Sequence, residues 1–258
     1  MNVVVCVKQI PDPAVPGQLD PETHFLKREG KLILDDSDAY GVEMALQLAT
    51  AAGGGDVTLV SMAPNSETGG LRTALAMGAA KAILVSDDSL KGSDALSTAK
   101  VLAAAIKRAE PDLVITATEA TDGYTGTVPE QIAAVLGLPS ITFAKKIEVT
   151  DGKVKVERQT EAGFDEVEAP LPAVVSVTAG VVEPRYPSFK GIMAAKSKPV
   201  DTLSVADLGL DGQVGAAAAR QEIVSVVPAE ERQAGEIVED DGEGFQKVIA
   251  FLEKQKVI

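Results

Sequence analysis

The sequence is poor in the residues that most catalytic machinery needs. Of 258 residues one is cysteine, one is histidine and none is tryptophan, and aromatics make up 3%. A single cysteine permits no internal disulfide and fits a reducing compartment. Any Ser-His-Asp, Cys-His or multi-histidine metal arrangement would have to use His24. That residue sits in the polar stretch "PETHFLKREG", which reads as a loop and short hairpin with nothing to support a site. Basic residues number 24 against 38 acidic ones, a net charge of −14, so a phosphate backbone would be repelled. No apolar run approaches the roughly 20 residues that span a bilayer. The opening "MNVVVCVKQIPD" enters a strand pattern directly, without a basic leader. GxGxxG and GxxxxGK[ST] are both missing, and the glycines at 53–55 precede a strand, so they read as a helix stop. The expectation is a soluble cytoplasmic protein that binds no nucleic acid and is not embedded in a membrane.

What is present is a large aliphatic fraction, with 45% hydrophobic residues and hence an Ala/Val/Leu/Ile core. Residues 3–9 are apolar on both faces, as a central parallel strand requires. The stretch 37–55 predicts a helix capped by Asp36 or Ser37, with Val42, Ala45, Leu46 and Ala49 on one face. Strands at 56–64, 81–88 and 111–120 alternate with helices at 66–79, 92–111 and 130–137. That alternation predicts a parallel sheet with helices on both faces. Near residue 147 the grammar changes to antiparallel hairpins, with a turn at Asp151-Gly152 and short strands split by Pro170 and Pro172. The sheet is expected to end near Gly180. Residues 200–258 continue neither pattern; with Ile223, Val224, Val226 and Val227 too apolar for disorder, they read as an arm that takes its core from a second chain.

Ligands of open α/β sheets bind at the carboxyl ends of the strands. There the segment "TEATDGYTGTVPE" is rich in small polar residues and runs into a helix with Pro129 in its first turn, a cradle of free N–H groups suited to a mononucleotide phosphate. Cys6 reads as a buried small hydrophobe, not an activated thiol. A second segment, "VEPRYPSFKGIMAAKSKP" (182–199), has three prolines that forbid a regular strand or long helix across it. It carries Tyr186, Phe189, Ile192 and Met193, which are costly to leave in water, and sets Glu183 against Arg185, Lys190, Lys196 and Lys198, a local charge of +3 in an acidic chain.

Together "VKQIPDP", "RTALAMGA", "ATDG", "VERQTEAGFDEVEAPLPAVVSV" and "EPRYPSFKGIMAAKSK" strongly resemble the β-subunit family of electron transfer flavoproteins, in order and spacing, over essentially residues 1–210. The resemblance implies a Rossmann-like (adenine nucleotide α-hydrolase-like) parallel sheet with antiparallel edge hairpins and an extended C-terminal arm. It implies two parts, a nucleotide-binding α/β domain at 1–199 and an arm at 200–258 that packs on a partner α subunit. It implies an electron carrier without catalytic residues of its own, in a bacterial cytoplasm. The partner α subunit of the obligate heterodimer would hold the redox FAD. The β subunit would hold AMP, with a nucleotide site at Cys6, Asp38, Met62, Ala117, Ala120, Thr121, Asp122, Gly123, Thr125, Gly126, Thr127 and Val128. Electrons would come from acyl-CoA and other dehydrogenases and go to a membrane quinone oxidoreductase, both transient partners. In relatives that bifurcate electrons a second FAD takes the place of AMP. The segment at Glu183, Pro184, Arg185, Tyr186, Phe189, Ile192, Met193 and Lys196 would be the loop that enters the dehydrogenase. An enzyme of the same fold, such as a nucleotide hydrolase or ligase, would need a glycine-rich phosphate signature that "CVKQIPDP" does not offer. A small nucleotide-sensing stress protein would need neither the arm nor the "EPRY" segment.

Overall fold

The computed structural model describes all residues except 64, 228, 230–234 and 241; the last residue of the strand expected at 56–64 and part of the expected arm therefore lie outside the described residues. Contacts divide the chain into two compact units, Met1–Ile223 and Val224–Ile258.

The first unit is built on strand β1 (Val3–Cys6), whose residues are all buried. Its side chains alternate between two cores, as the two-residue period of a strand requires. Val3 and Val5 belong to one, Val4 and Cys6 to the other. The chain does not run on as a strand to residue 9. Lys8 donates its N–H to the Asp38 carboxylate and its carbonyl accepts the Asp35 N–H, which breaks the ladder. Gln9–Pro11 (β2) then pairs antiparallel with Leu32–Leu34 (β3). Helix α1 (Asp36–Ala51) follows. Its N-cap is Asp35, not Asp36 or Ser37, because the Asp35 carboxylate accepts the Ser37 N–H.

From there the elements alternate: β4 (Val57–Ala63), α2 (Gly69–Met77), β5 (Lys81–Ser86), α3 (Ala95–Lys107), β6 (Leu113–Ala117), α4 (Val128–Leu136). Helices α1 and α2 cover one face through Val42, Ala45, Leu71 and Leu75, while α3 and α4 cover the other through Ala99, Leu102, Ile106 and Ile132. The antiparallel part is β7 (Ser140–Thr150), β8 (Lys153–Thr160) and β9 (Gly163–Pro170). Asp151 and Gly152 both take positive φ, as the tight hairpin turn between β7 and β8 demands. One face of these strands puts Ile147, Val154 and Val156 in the core. The other carries exposed cross-strand pairs such as Lys155–Glu166 and Lys153–Glu168, which keep that face soluble and add little stability. Strand β10 (Ala173–Val177) returns to the parallel set between β6 and β7.

The sheet does not end near Gly180. A short helix α5 (Phe189–Ala195) leads to β11 (Val200–Leu203), which adds in parallel beside β5 and completes the order β11-β5-β4-β1-β6-β10-β7-β8-β9. Residues just beyond 199 are thus sheet, and Val205 and Val214 lie in the core beside α3. In the second unit, α6 (Gly244–Lys254) exposes Phe245, Val248, Ile249 and Phe251. Among the described residues no helix is long and apolar enough to cross a membrane.

Candidate functional site

Leaving β1, the chain goes outward to β4 and β5, then returns to β6 on the other side of β1. A crevice opens at such a reversal, beyond the carboxyl ends of the strands. Cys6 closes β1, Ala117 closes β6, and Met62 is next to last in β4, so three of the expected nucleotide residues sit at one level of the sheet. Asp38 enters from the first turn of α1, and Ala120 to Thr127 form the connection from β6 to α4, with Val128 as the first residue of that helix.

Charged and polar side chains fix this connection. Asp122, its side chain 7% exposed, accepts the Lys8 ammonium on Oδ1 at 2.6 Å and the Arg28 guanidinium on Oδ2. Asp35 is fully buried; its Oδ2 accepts both the N–H and the hydroxyl of Thr121, at 2.8 and 3.1 Å. The residue that caps α1 therefore also holds the loop after β6. Lys8, Arg28 and Asp35, which hold this connection, are absent from the sequence-derived site. Opposite charges in two loops that meet at the switch point were a usable signal for Lys8. Arg28 had none, because its position depends on the path of the β2–β3 connection.

The electrostatics follow from burial and pairing. Burial, reinforced by the Asp38 charge, pushes the Cys6 thiol up to about 12, so it is a protonated, inert small hydrophobe. Burial raises Asp38 well above the ordinary carboxyl value of 3.8; the Lys8 N–H pulls it back, and the charges of Asp35 and Asp122 push it up again. For Asp122 burial also acts upward, but the Lys8 charge and hydrogen bond, then Arg28, outweigh it and hold the carboxyl below 3.8.

Polar atoms remain free around the crevice. Among the described residues the N–H groups of Thr125, Gly126, Thr127, Val128 and Glu130 have no protein acceptor. Thr127 is the N-cap of α4 without a side-chain cap bond; its hydroxyl accepts from Gln131 at 3.2 Å. Thr116, 5% exposed, sits one residue before Ala117 with its hydroxyl unpartnered. Buried donors without partners are rare in folded proteins. A helix N-terminus with free N–H groups suits a phosphate.

The second expected site, 183–198, is more ordered than its prolines suggested. Pro184, Pro187 and Pro199 flank a seven-residue helix instead of interrupting it, and Ser188 caps α5 by accepting the Gly191 N–H. Arg185 is not a free charge. Its guanidinium makes a two-pronged bond to Glu43 of α1, Nε to Oε2 at 2.5 Å and Nη2 to Oε1 at 2.9 Å. Lys198 is not free either, since its ammonium donates to the carbonyls of Leu75 and Ala79 at the end of α2. In return Arg72 of α2 donates to the carbonyls of Ala195 and Lys198, both at 2.7 Å. Tyr186 is 93% and Phe189 81% exposed, and Ile192, Met193, Lys190, Lys196 and Glu183 are exposed as well. Pro184 is half-buried.

Gly191 lets α5 approach α2: a Cβ there would press into the Ala76 carbonyl oxygen. Gly191→Ala should therefore cost about 1–2 kcal/mol through overpacking. It should also raise proteolytic cleavage around 186–198, which a digestion time course would show; unchanged cleavage would mean that the two helices tolerate separation.

A mostly parallel open sheet with helices on both faces and a reversal of strand order beside β1 defines a Rossmann-like α/β protein. The family model for the electron transfer flavoprotein domain matches residues 23–208. The chain is 42% identical over 264 residues to the electron transfer flavoprotein subunit beta of Mycobacterium tuberculosis, covering 100% of this chain and 99% of that one. It is 36% identical to the subunit beta of Megasphaera elsdenii, with both chains covered in full. It is 38% identical to the caffeyl-CoA reductase-Etf complex subunit CarD of Acetobacterium woodii, over 81% of this chain and 80% of the relative. The chain belongs to the electron transfer flavoprotein β-subunit family, whose role is flavin-linked electron transfer and not catalysis of its own.

Proposed function

We propose that this chain is the small subunit of an obligate heterodimer in a bacterial cytoplasm, that its α subunit holds the redox FAD, and that it binds one AMP as a structural element. Electrons reach the flavin from acyl-CoA and other dehydrogenases and leave to a membrane quinone oxidoreductase. The observation that carries this reading is the α5 platform. Phe189, Ile192 and Met193 on α5, and Tyr186 just before it, stand in solvent on a segment whose backbone and flanks are tied down by Arg72, Arg185 and Lys198. Exposing these side chains does nothing for the fold, whereas rigid aromatic and flexible Met side chains are what a protein docking site uses.

The nucleotide reading rests on the crevice. The free N–H groups of Thr125, Gly126, Thr127, Val128 and Glu130, beside the Lys8 cation, offer a place for a phosphate, with Cys6, Met62 and Ala117 as an apolar floor for a base. The FAD supplies the redox chemistry when bound; this chain's residues place and enclose. The exposed apolar residues of α6 and Val224, Val226 and Val227 suit an arm covered by the α subunit, in an interface beyond ~2,000 Å².

Co-expression with the α subunit tests the reading. The purified heterodimer should release one FAD and one AMP per pair on acid treatment. Two FAD and no AMP would replace the AMP reading with the bifurcating one. A stable, monodisperse single chain with a protease-resistant C-terminus would overturn the arm.

A further inference from the structure

Between β2 and β3 the chain makes an excursion, residues 12–31, that is folded on itself. Leu19 bridges Leu26, the Lys27 N–H donates to the Gln18 carbonyl at 2.8 Å, and the Asp20 N–H donates to the Phe25 carbonyl at 2.9 Å. The Asp20 carboxylate accepts the N–H groups of Glu22 and Thr23 and so shapes the tip. The excursion touches two of the loops at the carboxyl end of the sheet. Arg28 reaches Asp122 in the loop after β6. The Phe25 ring lies against Gly92 in the loop after β5, where a Cβ on the glycine would stand 3.2 Å from it.

In the sheet order β5-β4-β1-β6 these two loops flank the ends of β4 and β1, the strands that carry Met62 and Cys6. Neighbouring strands lie about 4.8 Å apart, so β5 and β6 are separated by roughly 14 Å. A hairpin that contacts both loops therefore crosses the crevice. We propose that residues 12–31 are a strap closed over the nucleotide site, with Arg28 as the positioning residue that latches it to Asp122. The inference deepens the nucleotide reading and rests on it.

The division of labour on Asp122 makes Arg28 the separable part. Lys8, one residue beyond the strand-end pair of Val7 with β4, holds Oδ1 and keeps Asp122 in place from the sheet side. Arg28 holds Oδ2 from the strap side. Without Arg28 the loop keeps one cation and its Asp35–Thr121 bonds, while the strap loses its tie to the loop. The consequence is kinetic: a ligand under the strap leaves when the latch opens, so the latch sets the exchange rate more than the fold's stability.

The test uses the complete heterodimer carrying AMP, mixed with excess isotopically labelled AMP. Arg28→Gln should exchange its nucleotide at least tenfold faster than wild type, with subunit ratio and flavin content unchanged, and Arg28→Lys should recover part of the slow exchange. Phe25→Ala, at the other end of the strap, should act in the same direction and serves if Arg28→Gln fails to assemble. Amide hydrogen exchange supplies a readout that needs no nucleotide: protection at 18–27 should fall in Arg28→Gln while that of β6 is kept. Equal nucleotide exchange in wild type and variants, or unchanged protection at 18–27, overturns the strap. A wild-type heterodimer that holds no nucleotide overturns the site itself and the latch's role in exchange with it.

Discussion

Phe189→Ala should leave the heterodimer assembled and its flavin content intact, while weakening electron transfer from a cognate dehydrogenase by about 30-fold or more in apparent affinity. The side chain is 81% exposed at the first position of α5, so folding loses little when it is truncated. Docking loses a buried aromatic contact, worth about 2 kcal/mol when it sits at the centre of an interface. Stopped-flow reduction of the flavin at varied dehydrogenase concentration reads this directly. Loss of flavin or of assembly in the variant would make Phe189 a structural residue and end the docking reading.

The charges beside it should act differently, and only some of them. Lys190 and Lys196 are exposed and make no ion pair among the described residues, so replacing both by Ala should lower the association rate and flatten its dependence on ionic strength. Lys198 does not belong with them. Its ammonium fills the carbonyl cluster at the end of α2, and burial lowers its pKa. Its removal would unseat the platform and confuse the two effects.

That distinction shows where reading from the amino-acid order stops. Charges and apolar residues at 182–199 were visible as a list, and the local excess of +3 marked the segment. Which of these charges were free was not visible, because the partners of Arg185 and Lys198 lie 142 and about 120 positions away. Periodic features were legible: the apolar run at Val3–Cys6, the Val42/Ala45/Ala49 face of α1 and the Asp151-Gly152 turn all stand as expected. The alternation of strands and helices pointed to the carboxyl ends of the strands; the strand order that puts the reversal beside β1 comes from the structure. Strand β11 was not legible, because "VDTL" has no pattern of its own and becomes a strand by pairing with β5. The Asp35 cap was missed because its value comes from tertiary contact with Thr121 as much as from α1. Local periodicity carries far; the pairing of single polar groups across the fold does not.

The Glu43–Arg185 pair should show the largest effect on stability, and an asymmetric one. Glu43 is 3% exposed in the middle of α1, while the Arg185 side chain is about half exposed. Arg185→Ala leaves a buried carboxylate without a cation, held only by the Gln47 amide and a long bond from the residue-185 backbone N–H, and should cost about 3 kcal/mol, the lower end of the range for opening a buried pair. Glu43→Gln leaves a guanidinium that water can reach, and should cost distinctly less. The pH dependence separates this from simple loss of packing. Burial pushes the Glu43 carboxyl up, but the bonds from Arg185 and Gln47 prevail and hold it below its ordinary 4.5. A folded-state value below the unfolded one means that the pair's stabilisation is full above about pH 4.5 and is lost as pH falls through the folded value. The gap between wild type and Arg185→Ala should therefore be widest near neutral pH and close in acid. In Glu43→Gln, which has no carboxyl to titrate, this part of the pH dependence should vanish. Thermal melts of the heterodimer at pH 7 and at an acid pH below the folded value of Glu43 measure both variants. A gap equally large at the two pH values, or a greater cost for Glu43→Gln, would show that Arg185 holds the platform by shape and not by charge.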